Sequence, residues 1–270
     1  MIVKMSVLMS IYNNEATVDA SIASIVNQTF TDWELILWDD ASTDGTSQKL
    51  KSWALRDSRI RLFSNTQNLG LAASLNLALA EAQGEYIVRM DGDDESLPDR
   101  FKKQAAFLDS HPEYAVVGSA CTLFDDEGDW GERTGSTVPQ KKDFLWGSQF
   151  IHPAVMVRRD ALNVVGGYRV CRDTIRTEDY DLFMRLYAQG FTGYNLAEPL
   201  LRYRDSRVPR HVRFAHRLNE VRIRFHGFKA LGLLPAGFLY VLKPLVMALL
   251  PCGLKRRLQQ NRQAAQNGAV

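Results

Sequence analysis

The sequence predicts an α/β fold: a mostly parallel, doubly wound sheet followed by a helical C-terminal extension. Short apolar runs alternate with helix-patterned segments over the first hundred residues, as in successive βαβ units. Right-handed crossovers place the ends of such strands, and their polar loops, on one sheet edge. The fourth run, Tyr86–Met90, breaks into Asp91-Gly92-Asp93-Asp94. Those three carboxylates stand where open α/β sheets bind ligands.

The elements follow in order. Met5–Ile11 is a buried strand, Tyr12-Asn13-Asn14 a turn, and a helix runs to about Asn27 with Val18, Ile22, Ile25 and Val26 on one face. Glu34–Trp38 is the second strand. It enters Asp39-Asp40-Ala41-Ser42-Thr43-Asp44-Gly45-Thr46, a polar loop with helix-start chemistry, and a helix continues to about Arg56. Ile60–Phe63 is the third strand and Asn65–Gly70 a loop. Leu71, Leu75 and Leu79 stripe the next helix, ended by Gly84. Beyond Asp99 come a helix (Phe101, Ala105, Leu108), a strand over Tyr114–Phe124, a hairpin turn at Asp125–Gly128 and the strand-like run Ile151–Val157. A short helix follows, broken at Gly166-Gly167. Glu178-Asp179 opens a helix with Leu182, Phe183 and Leu186 on its apolar face; Asp181 is read as facing solvent. Leu200–Tyr203 is the last strand.

Charge is unevenly placed. The chain has 270 residues and a net charge of +2, but residues 202–270 carry 14 Lys and Arg against 2 Asp and Glu. A basic tail on an acidic body suits an anionic partner. Leu231–Pro251 is strongly apolar yet interrupted by Pro235, Lys243 and Pro244, so it does not read as a simple spanning helix of about 20 apolar residues. With Arg202–Lys229 before it and Lys255-Arg256-Arg257 after it, it fits the surface of an anionic cytoplasmic leaflet, or packs on the domain or against a second copy. Three scattered cysteines, Cys121, Cys171 and Cys252, give neither a zinc pattern nor an even disulfide framework. With no signal-peptide pattern at the N-terminus, a cytoplasmic setting is expected.

Taken by residue chemistry alone, the candidates keep two readings each. Asp91, Asp93 and Asp94 form either a solvated, helix-capping loop or a site for a hard divalent cation. Asp39 and Asp40 either cap the next helix or accept hydrogen bonds from a ligand. Glu178 and Asp179 either complement a helix N-terminus or take a proton from a substrate hydroxyl. Asp44-Gly45 is a turn. His152 is a lone histidine before Pro153. Trp146 and Tyr168 either stack on sugar rings or, by default, pack as core aromatics, and Arg202, Arg204 and Arg210 either touch a diphosphate or lipid phosphate or, by default, form solvated basic surface.

Five ordered blocks then point one way. Ser6–Asn13, Gln28-Thr29-Phe30 with Trp38–Thr46, Asn68-Leu69-Gly70 with Asn76, Asp91–Asp94 and Thr177-Glu178-Asp179 together resemble the family 2 glycosyltransferases over about residues 1–205. The resemblance implies the GT-A fold, with a nucleotide-sugar-binding half (1–100), an acceptor-binding half (101–205) and the extension (206–270). It implies that Ser10 and Tyr12 border the nucleotide base. Asp40 would bond the base with Asp39 beside it, and Asp91 would lie near the ribose and diphosphate. Asp93 would be the chief ligand of Mg²⁺ or Mn²⁺, with Asp91 and Asp94 as further ligands. Asp179 would be the general base of an inverting transfer, with His152 and Glu178 near the acceptor or diphosphate. The implied partners are a nucleotide-sugar donor, UDP-linked in many relatives, a glycan or lipid-linked saccharide acceptor and the anionic inner face of the plasma membrane; nucleic acid is not among them. His211 and His216 are left as candidates for a basic loop beyond the last core strand.

Rival readings fare less well. A sugar nucleotidyltransferase calls for a Gly-rich, Arg-bearing loop after the first strand, and Ser10–Glu15 has no glycine. No GxGxxG follows an early strand, which disfavours a dinucleotide dehydrogenase. A phosphatase using an aspartate nucleophile would have it after the first strand, not the fourth. A nucleotide-sugar-binding scaffold without catalysis stands as the non-enzyme alternative, opposed by the intact Glu178-Asp179 pair.

Overall fold

The computed structural model describes residues 3–207 and 214–249. Four parallel strands form its first half: β1 (Met5–Ile11), β2 (Trp33–Asp39), β3 (Ile60–Ser64) and β4 (Tyr86–Arg89). Helices α1 (Val18–Val26), α2 (Thr46–Arg56) and α3 (Leu71–Glu81) connect them. Along β1, Met5, Val7, Met9 and Ile11 enter one core layer with Val18, Ile22 and Leu50, while Leu8 enters the other with Leu75 and Ala78. That alternation is the period-two consequence of a sheet covered on both faces.

The second half is mixed, not parallel. After β5 (Glu95–Ser96) and α4 (Arg100–Ser110) come β6 (Val116–Asp125), β7 (Gly128–Arg133), β8 (Met156–Arg158), α5 (Arg159–Val165), α6 (Glu178–Ala188) and β9 (Gly193–Arg204). The sheet order is β3-β2-β1-β4-β8-β6-β9-β5, with β7 hairpinned onto β6. β8 lies antiparallel between β4 and β6, and β6 is parallel to β9. Of the strand-like run at 151–157 only Met156 and Val157 are strand, because His152-Pro153-Ala154 forms a tight turn first. The antiparallel pairing Glu95↔Arg202 matters most for the site. It returns the end of β9 to the loop that follows β4.

Two expectations need correction. Asp181 does not face solvent: it is 5% exposed, with Arg185 Nε at 2.7 Å and Arg169 Nη1 at 3.1 Å. Helix α6 is covered by α5 on one side and by α7 (Phe214–Ala230) on another, so its buried face is wider than one stripe. Trp146 is not a core residue. It is 54% exposed and meets Tyr240 edge to face at 5.0 Å. Tyr168, by contrast, is buried as expected.

The basic and apolar C-terminal segment forms α7 and α8 (Phe238–Leu249, with Pro244 inside). Ile223, Phe228, Leu231 and Val241 bury against the domain. Buried Arg224 ties the pair down by donating to the Leu145 and Tyr240 carbonyls. Phe238, Leu239, Leu242 and Val246 remain exposed. At spacings of three, four and seven they share one helix face. No helix among the described residues is long and apolar enough to cross a membrane. Arg210, His211 and the cluster Lys255-Arg256-Arg257 lie outside the described residues.

Candidate active site

The carboxyl ends of β1, β2 and β4 meet on one sheet edge and supply most of the site. Ser10, Tyr12, Asn14, Asp40, Asn68, Gly70 and Leu71 line a cavity of about 440 Å³. Tyr12 stands half exposed at its rim. Asp40 is buried and already employed: Oδ1 accepts from Asn65 Nδ2 (2.7 Å) and Leu69 N (2.8 Å), and Oδ2 from Gly70 N (2.8 Å). Its carboxylate therefore shapes the 65–70 loop that forms the opposite wall. Asp39 turns elsewhere. It accepts from Ser42 N (3.0 Å) and from the Ser47 hydroxyl, and it lines a separate cavity with Lys51 and Ser64. Asp44 bonds the first helical amide of α2, Thr46 N (3.0 Å), which gives the turn reading its geometry.

Beyond β4, one carboxylate oxygen from each of Asp91, Asp93 and Asp94 lies within 4.8 Å of the others. Gly92 permits the crowding: an added Cβ would sit 2.7 Å from Ile11 Cδ1. Ser21 of α1 pins the loop, its Oγ 2.6 Å from both the Asp91 and Asp94 carbonyl oxygens. Asp94 is 1% exposed. Its Oδ1 accepts from Arg204 N (2.8 Å), and its Oδ2 is buried with no hydrogen-bond partner among the described residues. Burial, then the Asp91 charge, pushes the Asp94 carboxyl up to about 8; the same two causes raise Asp93. A buried oxygen without a partner beside two more carboxylates is a donor set that suits a hard divalent cation.

The cluster opens into a cavity of about 380 Å³ lined by Asp91, Arg133, Ser148, His152, Glu178 and Asp179, among others. Residues nearly ninety positions apart thus share one space. Glu178 and Asp179 form the first turn of α6. Burial raises both carboxyls; for Glu178 the Asp179 charge adds to it, while amide bonds and the Ser148 hydroxyl hold Asp179 partly back. His152 Nε2 lies 2.7 Å from the Tyr168 hydroxyl. Burial, then the nearby Arg89 charge, keeps its imidazole well below its ordinary value, and so neutral.

Two arginines of the site escape a pattern-based reading. Arg89, at the end of β4, is 2% exposed, bonds the Asp91 carboxylate and the Met90 carbonyl, and has a buried Nε without a partner among the described residues. Its charge lowers the proton affinity of Asp93, Asp94, Glu178 and Asp179. The signal was present as a charged residue inside an apolar strand, which must find a partner when buried. Arg204, read as surface, donates from its amide to Asp94 and from Nε to the Asp93 carbonyl (3.4 Å). Only the β5–β9 pairing shows this. Arg202 is held by Glu95 and Asp129. His216 lies on α7, its Nδ1 buried without a partner among the described residues, and it lines none of these three cavities.

Comparison with known proteins places this arrangement. The fold is that of GT-A glycosyltransferases: it is similar to crystalline Staphylococcus aureus TarS residues 1–349 in complex with UDP-GlcNAc, with a TM-score of 0.70 at 20% identity, covering 88% of this chain and 72% of that one. The family model for glycosyl transferase family 2 matches residues 6–166. Among curated relatives, putative glycosyltransferase EpsE of Bacillus subtilis is 42% identical over 96% of this chain and 94% of its own length. The O-antigen biosynthesis glycosyltransferase WbnJ of Escherichia coli is 32% identical over 74% of this chain and 78% of its own. The chain belongs to glycosyl transferase family 2 and is a glycosyltransferase.

Proposed function

We propose that the protein transfers a sugar, with inversion, from a nucleoside diphosphate sugar to a hydroxyl of a glycan or lipid-linked saccharide in the assembly of a bacterial polysaccharide. The observation that carries this is the single cavity shared by Asp91 of the acidic cluster and Asp179 of α6. The base enters the cavity bordered by Ser10, Tyr12 and Asn68, where the exposed Tyr12 ring offers a stacking face. Asp93 and Asp94, with Asp91, would hold Mg²⁺ or Mn²⁺, and that charge would neutralise what the leaving diphosphate gains. Asp179 accepts the proton of the attacking hydroxyl, so that the oxygen attacks the anomeric carbon from the face opposite the leaving group. Its confinement near Asp91 supplies proximity, the larger part of such catalysis.

UDP is the first donor to try, because TarS was crystallised with UDP-GlcNAc. The polysaccharide setting follows the O-antigen biosynthesis role of WbnJ. The exposed face of α8, followed by the basic residues up to Arg262, suits an anionic bilayer and an acceptor presented on its cytoplasmic side. A panel of nucleotide-sugars with Mn²⁺ and lipid-linked saccharide acceptors tests the reaction, with the product anomer assigned by NMR. Retention of configuration would sink the inverting mechanism. Binding without turnover across the whole panel would favour the scaffold.

A further inference from the structure

We infer that His152 contacts the substrate, presenting a fixed Nδ1–H donor to an oxygen of the bound nucleotide-sugar, with Tyr168 and Asn76 as the residues that hold it there. The inference rests on the cavity of Asp91 and Asp179 being where transfer occurs, and it deepens that reading by naming an atom and its tautomer.

The argument starts from hydrogen-bond accounting. Tyr168 is 7% exposed, and the partner of its hydroxyl among the described residues is His152 Nε2, at 2.7 Å. A buried hydroxyl has one proton to place. If Nε2 carried hydrogen and donated to the hydroxyl, the tyrosine proton would be stranded in the interior, a cost of about 1–3 kcal/mol. The hydroxyl therefore donates to Nε2. Burial holds Tyr168 protonated and His152 neutral, so the single imidazole proton sits on Nδ1. Nδ1 has no protein partner among the described residues, and His152 lines the cavity beside Asp91, Glu178 and Asp179.

The support behind the imidazole is built to keep it in place. Asn76 of α3 clamps the Tyr168 backbone in both directions: its Nδ2 donates to the Tyr168 carbonyl (2.7 Å), and its Oδ1 accepts from Tyr168 N (2.8 Å). The clamp needs Gly167. At φ +66° an added Cβ would meet Asn76 Oδ1 at 2.6 Å. Pro153 follows the histidine inside the turn, and Phe183 meets its ring edge to face at 6.4 Å. His152 is fixed through Nε2 and keeps Nδ1 without a partner among the described residues, in a side chain that lines the cavity. A neutral N–H donor suits either a hydroxyl of the transferred sugar or an oxygen of the diphosphate, the same chemistry from two parts of one ligand.

Two measurements on the full chain decide the matter. Nitrogen-15 NMR of histidine-labelled protein reads the tautomer, with the His152 signals identified by their loss in His152→Asn. The expected pattern is a protonated Nδ1 and an unprotonated Nε2 across neutral pH, relaxing to a mixture in Tyr168→Phe. Kinetics follow with whichever nucleotide-sugar the wild type turns over in Mn²⁺. His152→Ala should lower kcat/KM about ten- to a hundredfold. His152→Asn should recover most of that, because its carboxamide reaches the Nδ1 position, and His152→Gln should not. Weaker binding of UDP alone in His152→Ala assigns the contact to the diphosphate; weaker binding of the nucleotide-sugar only assigns it to the sugar. A protonated Nε2, or kcat/KM within twofold of wild type in all three His152 variants, overturns the inference. A wild type without turnover counts instead against the transferase reading, and the tautomer still judges His152.

Discussion

Asp94 makes the metal-free protein lose stability as pH rises, and Asp94→Asn should flatten that dependence. The carboxyl is 1% exposed, with Oδ2 unpartnered and two carboxylates beside it, and is pushed up to about 8. An unfolded aspartate titrates near 3.9. Between those values the folded protein holds a proton that the unfolded chain has released, so stability is fully present below the lower value and drains away as pH climbs through the upper one. At 1.36 kcal/mol per pH unit the full window is worth roughly 6 kcal/mol, of which about 3 kcal/mol falls between pH 5.5 and 8. For a chain of this size that is a fall of roughly 6 °C in Tm. Thermal unfolding in chelator at a series of pH values reads it directly. Excess Mn²⁺ should reverse the slope, since the cation takes the place of the proton. Asparagine keeps the oxygen that accepts from Arg204 N and removes the ionisation. A wild-type Tm flat from pH 5.5 to 8 in chelator, or an unchanged slope in Asp94→Asn, would refute the reasoning.

Other outcomes follow from the same geometry. Asp181→Ala leaves Arg185 facing a buried gap and should cost about 3 kcal/mol in urea unfolding; a loss under 1 kcal/mol would return Asp181 to the surface. Burial raises the Asp179 carboxyl, and only its ionised form accepts a proton. The acid limb of kcat/KM should therefore lie above the ordinary aspartate value, and a limb at or below about 3.9 would exclude Asp179 as the group observed. Replacing Leu239 and Val246 together by Glu should abolish sedimentation with phosphatidylglycerol vesicles. Equal sedimentation of variant and wild type would move any membrane contact away from α8.

Much of this was legible because local patterns carry it. The run Met5–Ile11 is strand to the residue, and the three helices of the first half fall where their apolar spacing puts them. The acidic loop, the 65–70 loop and the head of α6 announce themselves by composition. What was not legible depends on long-range pairing. Arg204 looks like solvated surface until β9 returns antiparallel to β5 and sets it against Asp93 and Asp94. Asp181 looks exposed until α5 and α7 cover a helix whose pattern shows only one stripe. Trp146 is a large aromatic of the kind that fills cores, yet it stays half exposed with only one ring edge set against Tyr240 of α8. Asp40 was read toward a base, while its three bonds to the 65–70 region appear only when that loop folds over it.

The central claim is that Asp179 takes the acceptor proton in a cavity it shares with a metal-carboxylate cluster. Single-turnover transfer by Asp179→Asn, with Mn²⁺ and a nucleotide-sugar that the wild type uses, tests it most directly. The expected result is transfer slowed about 10²- to 10⁴-fold with donor affinity unchanged. Transfer within tenfold of wild type would contradict it and pass the role to Glu178.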